Sequence, residues 1–149
     1  MLYRGHYEGG CFCGAIRFAF DDVFDAGYCH CSICRRTSGA PMLAWVNSPR
    51  AGFRVERGEP RFVATSAVYR RAFCGDCGTS MWSESIDPDR WNMVSVHHGT
   101  IDAAATIEPA IHICWPDRLP WRRIDDRLPR SDDGPVPHPD SRGDPRWQP

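Results

Sequence analysis

Lysine is absent from the chain: all 18 basic residues are arginine. That excludes a Schiff-base lysine, a lysine general base and the lysine of a P-loop. No G-x-G-x-x-G frame occurs either, so the dinucleotide-binding fingerprint is missing. Excess charge of one sign is also lacking. The 18 basic and 19 acidic residues leave a formal net charge of −1, without the basic footprint of a general nucleic-acid binder. No apolar run approaches the roughly 18 residues of a membrane-spanning helix. The opening Met-Leu-Tyr-Arg-Gly-His-Tyr-Glu-Gly-Gly has no apolar stretch of the signal-peptide kind. The expectation is a cytoplasmic protein that engages neither nucleic acid nor membrane. With 149 residues, 42% apolar and 25% charged, the chain has the size and balance of one globular domain.

No window carries a helical stripe of about ten residues or more. Instead, short apolar runs alternate with Gly and Pro punctuation. Ile16, Phe18 and Phe20 alternate with Ala15, Arg17 and Ala19, the period of a half-buried strand. Further strands are predicted over 24–30, 42–46, 52–56, 61–66, 68–73, 81–84, 92–97 and 110–115. Residues 1–10 read as a polar lead-in, and 31–40 as a loop or short helical turn. The class expected is all-β or β-dominated, with many short strands. From about Ser131 the chain turns Pro-rich, and Val136 and Trp147 are its only large apolar groups. The reading is therefore a domain over 1–130 and a disordered tail over 131–149.

Cysteine is the unusual residue. There are 8 in 149 positions, roughly 5% and below the ~8–10% of disulfide-stapled secreted chains. Seven fall into three groups: Cys11-x-Cys13, Cys29-x-Cys31-x-x-Cys34 and Cys74-x-x-Cys77. In a reducing compartment such spacings read as metal sites. Two thiolates one or two residues apart can share an ion, and the glycines of Cys74-Gly-Asp-Cys-Gly78 suit a metal knuckle. Seven ligands fit one closed tetrahedral zinc site and one open site. The economical partition joins Cys11, Cys13, Cys74 and Cys77 in a structural site and leaves Cys29, Cys31 and Cys34 for the open one. His30, His97, His98, His112 and Cys114 are candidates for a fourth ligand at the triplet. For Cys114, inside the apolar run 111–115, a packed strand position is expected. His97-His98 is expected to be a solvated or hydrogen-bonded pair.

These residues resemble the glutathione-dependent formaldehyde-activating enzyme family, which also includes centromere protein V. The matching stretches are residues 9–18, 29–40 and 71–79, with Ile111-His-Ile, Trp121, Ile124-Asp-Asp126 and Leu128-Pro129 similar to the family's closing segment. The resemblance implies a β-tent fold, as in methionine sulfoxide reductase B. It implies two Zn²⁺ per chain, a structural one on Cys11, Cys13, Cys74 and Cys77 and a catalytic-type one on Cys29, Cys31 and Cys34. It also implies a carbon–sulfur lyase of the S-(hydroxymethyl)glutathione synthase type, with glutathione and a small aldehyde as partners. The chain departs from the family's named enzyme in being shorter, with few residues between Cys34 and Cys74 to form a glutathione pocket. Arg35, Arg36, Arg70 and Arg71 stand in for the missing lysines toward the two glutathione carboxylates. Two other classes remain open: a non-catalytic zinc module that binds a partner, and a thiol oxidoreductase using Cys114.

Overall fold

The computed structural model describes residues 3–89 and 91–133. Short strands dominate it, as expected. Strands β1 (Tyr3–Gly10), β2 (Arg17–Val23), β3 (Asp25–Cys29) and β4 (Leu43–Pro49) come first, with helix α1 (Ser32–Ser38) between the last two. Strands β5 (Arg54–Arg57), β6 (Arg61–Ala64), β7 (Tyr69–Phe73), β8 (Ser80–Ser85), β9 (Met93–His97) and β10 (His112–Ile113) follow. A three-stranded antiparallel sheet has the order β1-β2-β5. A seven-stranded sheet has the order β10-β3-β4-β9-β8-β7-β6, and only β10, lying along β3, is parallel to its neighbour.

Three readings of the sequence change, and the short helical turn expected within 31–40 is found. The polar lead-in is strand β1: Tyr3 and Tyr7 pack on the core while its other side chains face solvent. Strand β2 is not half-buried, because Phe18, Ala19 and Phe20 are all fully covered between β1, β5 and the large sheet. Residues 32–38 form α1, capped at its start by Cys31, whose sulfur accepts from the Cys34 amide, and at its end by Gly39 at φ +67°. The strand expected over 110–115 shrinks to His112–Ile113, because Cys114 turns left-handed and Trp115–Asp117 winds into a 3₁₀ turn carrying Pro116. Of the tail expected from 131, residues 134–149 lie outside the described residues. Ser131 is tied to the domain: its amide donates to the His112 carbonyl, and its carbonyl accepts from the Trp115 amide.

The main core lies between the sheets. Phe18 meets Trp82 edge-on at 5.5 Å and stacks on Phe53 at 5.6 Å, over Val46, Val94 and Val96. A second, smaller cluster consists of Cys29, Cys34, Leu43, Trp45 and Ile113, with Cys31, Ile111 and Cys114 against it. Half of that cluster is sulfur. Gly9 closes the gap between the small sheet and the segment after β9, bridging to Ile101. A Cβ there would stand 2.4 Å from the Thr100 carbonyl oxygen and 2.6 Å from Phe18. Gly9→Ala is therefore expected to cost about 1–3 kcal/mol in denaturant-induced unfolding. An unfolding midpoint equal to that of the parent would show that the strand–turn contact is not tight.

Candidate metal centres

The first sulfur cluster is built from two turns, one in each sheet's territory. After β1 the chain reverses through Cys11–Gly14: the Gly14 amide donates to the Cys11 carbonyl, and the Ile16 amide to Cys11 Sγ at 3.2 Å. Between β7 and β8 the Gly78 amide, at φ +74°, donates to the Cys74 carbonyl, and the Cys74 amide to the Thr79 carbonyl. The positive φ at this closing position is where glycine is required. The Phe12 amide then reaches the Thr79 hydroxyl, linking the two turns. The sulfurs of Cys11, Cys13, Cys74 and Cys77 all lie within 4.8 Å of one another.

Their spacing fits zinc. A tetrahedron of sulfurs at the Zn–S distance of about 2.3 Å has edges of about 3.8 Å. Cys11 and Cys13 are 3.5 Å apart, and Cys13 and Cys74 are 3.8 Å apart. No disulfide links them; all eight cysteines are free. The Thr79 hydroxyl and the Thr79 and Cys13 amides pull the Cys77 thiol down to about 6. Cys13, although the Ala15 amide favours its thiolate, is pushed up to about 12 by shared hydrogen bonds with Cys11 and Cys77. Four thiolates this close repel one another, and a divalent cation among them removes that penalty.

The second cluster forms where β3, α1 and the end of β10 meet. Cys29 ends β3, Cys31 caps α1 and Cys34 sits in its first turn. Of the expected triplet, Cys29 and Cys31 fall in one group of sulfurs, and Cys114 takes the third place in it. The sulfurs of Cys29, Cys31 and Cys114 lie within 4.8 Å of one another, whereas Cys34 stands outside that mutual group, its amide donating to Cys31 Sγ. The packed strand position expected for Cys114 is thus corrected. It is half-buried, past the strand end, with φ +53°. Pro116, two residues on, was the overlooked signal. Proton sharing in the group raises the Cys29 thiol, chiefly through Cys114, and lowers Cys114 to about 4, chiefly through Cys29.

Charged and polar groups wrap this cluster in ways that the sequence did not disclose. The buried Arg71 donates from Nη2 to Cys34 Sγ at 3.3 Å and from Nη1 to the Thr65 hydroxyl. Behind the Cys29–Cys31 turn runs a chain of rings: His30 Nε2 meets His112 Nδ1 at 2.9 Å, and His112 Nε2 meets Asp126 Oδ2 at 2.9 Å. Burial and the neighbouring His112 hold His30 down to about 4, so it is neutral at pH 7. Trp115 covers both rings edge-on, and the Arg118 and Arg130 guanidinium groups lie over its face. His97 and His98 are each hydrogen-bonded, one of the two readings expected, and neither falls in the two sulfur groups. His97 Nδ1 donates to the Ser80 carbonyl, and His98 Nε2 contacts the Ile107 carbonyl. Burial holds His97 near 4 as well. Its Nε2, Arg71 Nε and Trp45 Nε1 are buried with no hydrogen-bond partner.

Since the first cluster draws on both sheets, removing one of its buried sulfurs should act on the whole fold. Cys74→Ser is expected to lose one metal equivalent and to lower the thermal midpoint, measured with metal content on the same preparation. A variant with parental midpoint and full metal content would remove this cluster from the architecture.

Comparison with known proteins gives relatives by sequence and by fold. A Halomonas elongata protein bearing the name of a glutathione-dependent formaldehyde-activating enzyme is 29% identical over 131 residues, covering 80% of this chain and 82% of its own. A Schizosaccharomyces pombe protein named an uncharacterized lyase is 27% identical over 109 residues, 68% of this chain and 79% of its own. The crystal structure of a Rhodobacter sphaeroides protein superposes with a TM-score of 0.50 at 22% identity, covering 64% of this chain and 87% of that one, and shares the fold. The model of the glutathione-dependent formaldehyde-activating enzyme family matches residues 6–117, a span that includes both sulfur clusters, and the chain belongs to that family.

Proposed function

We propose that the chain is a zinc-dependent carbon–sulfur lyase-type enzyme acting on small thiol adducts, typified by the adduct of glutathione with formaldehyde. The carrying observation is the second cluster, where the half-buried sulfurs of Cys31 and Cys114 stand beside the buried Cys29 and Cys34. Cys29, Cys31 and Cys34 are the proposed catalytic-type ligands, and Cys11, Cys13, Cys74 and Cys77 the structural ones. Zinc bound at the second cluster would supply a thiol held as its thiolate at neutral pH, the form that adds to a small carbonyl. The names of two relatives, one a formaldehyde-activating enzyme and one a lyase, agree with this reading.

The protein's own residues set the stage for that chemistry. Arg71 places a permanent cation against Cys34 and so offsets part of the charge that clustered thiolates bring. The chain from Asp126 through His112 to His30 fixes the turn between Cys29 and Cys31 from behind. Two of the four arginines expected to meet the glutathione carboxylates are committed elsewhere. Arg70 pairs with Glu84, and Arg71 with Thr65 and Cys34. Arg35 and Arg36 on α1 are left for that task. The Arg35 Nε donates to the His30 carbonyl, which anchors its stem at the cluster, and Arg36 is exposed.

Exchange between glutathione and formaldehyde, followed by carbon-13 exchange spectroscopy, tests the reading. Cys31→Ala should slow the catalysed exchange roughly 10²-fold or more while circular dichroism stays unchanged. Arg36→Glu should raise KM for glutathione without altering that for an uncharged small thiol. A folded Cys31→Ala protein with parental exchange would remove Cys31 from the catalytic site, and a parent whose exchange equals the uncatalysed rate would make the chain a non-catalytic metal module.

A further inference from the structure

The fourth sulfur at the second cluster is the feature that the proposed mechanism leaves unused. Cys29, Cys31 and Cys34 come from one stretch of chain, but Cys114 arrives from a separate segment, and its sulfur lies within 4.8 Å of both Cys29 and Cys31. The backbone bends sharply to deliver it. Cys114 sits at φ +53° and ψ +45°, a left-handed conformation that costs a side-chain-bearing residue of order 1 kcal/mol or more and persists only when its surroundings impose it.

The surroundings do impose it. Before Cys114, Ile113 is in register with Cys29 across the parallel pair, and the His30 amide donates to the Ile113 carbonyl. After it, the Trp115 amide is held by the Ser131 carbonyl, and the Asp117 amide donates to Cys114's own carbonyl. A chain free to relax would turn this thiol elsewhere; here it is aimed at the cluster.

We propose that Cys114 is a fourth, displaceable thiolate ligand of the metal at this cluster, closing the site with sulfur at rest and yielding its place to a substrate thiol. The proposal rests on the reading that the cluster holds zinc and accepts a thiol. Accessibility decides which ligand leaves. Cys29 and Cys34 are buried, Cys34 is also held by Arg71, and Cys31 caps α1 through the Cys34 amide. Cys114 is half-buried and lies just past the two-residue strand β10, outside any helix or strand.

The exchange balances. The incoming thiol gives up its proton and takes the coordination position, and the departing Cys114 thiolate takes up one proton. One metal–sulfur bond forms, one breaks, and no electrons are transferred. The charge around the metal is the same before and after. A resting site closed in this way would also withhold the metal from water and from adventitious ligands until a thiol arrives.

Cobalt(II) loaded into the full chain in place of zinc reports the sulfur count through its sulfur-to-metal charge-transfer absorption. Two variants are compared with the parent: Cys114→Ser, and Cys114→Gly, which removes the sulfur while suiting the left-handed backbone. Both should keep two cobalt equivalents and lose about a quarter of the second site's charge-transfer intensity, one sulfur in four. Added glutathione should restore that intensity in the variants and leave the parent's unchanged, since in the parent one sulfur replaces another. Parental spectra in both variants before thiol is added would overturn the proposal and leave the lyase reading standing. Variants that lose intensity but are not restored by thiol would retain Cys114 as a ligand and overturn its displacement by substrate. A parent that binds a single cobalt equivalent would overturn this proposal and the zinc-dependent reading together. A Cys114–Cys31 or Cys114–Cys29 disulfide in the metal-loaded parent, seen by mass spectrometry, would overturn it in favour of redox chemistry.

Discussion

Two short turns carrying Cys11, Cys13, Cys74 and Cys77 bring their sulfurs within 4.8 Å of one another and join the small sheet to the large one. One turn follows β1 of the small sheet; the other joins β7 and β8 of the large one. Neither is held by a long run of apolar contacts. A chain of this size, with strands as short as two to eight residues, has a modest core of its own. A metal held by this cluster, as proposed, would cross-link segments distant in sequence and add cohesion to such short elements, as in other small domains that depend on structural zinc. The aromatic core of Phe18, Phe53 and Trp82 fills the space between the two sheets.

The second cluster has a different physical character, and the proposed reaction would ask it to be stable and also exchangeable. Its sulfurs form part of a small apolar core with Leu43, Trp45 and Ile113, which shields two of them from solvent. Charge is balanced by Arg71, brought across from β7, not by a neighbour in sequence. The aromatic chain His30–His112 with Trp115 closes the back, and Asp126 and Ser131 of the closing segment fasten it down. The last stretch of the domain is therefore part of the site's scaffold.

Much of this was legible in the sequence, for local reasons. A Cys-x-Cys or Cys-x-x-Cys pair with glycine at the turn encodes its own geometry, so both paired turns and the Cys29–Cys34 stretch could be placed without a structure. Strand positions were legible wherever Gly and Pro bounded an apolar run. What failed depended on distant partners. β1 is a strand because β2 pairs with it, and its polar outer face hid that role. Ala19 is buried by neighbouring strands, so alternation along β2 misrepresented its environment. Cys114 reaches the cluster only because β10 lies parallel to β3, a pairing with no local signature. Arg71 and Cys34 are likewise joined by the sheet and not by spacing.

Metal content together with zinc-edge X-ray absorption on the purified full chain tests the central claim most directly, because it reads both the number of ions and the atoms around them. The account predicts two zinc ions per chain, each surrounded by sulfur alone at about 2.3 Å. A single zinc ion, or a shell in which nitrogen or oxygen replaces sulfur at either site, would contradict it.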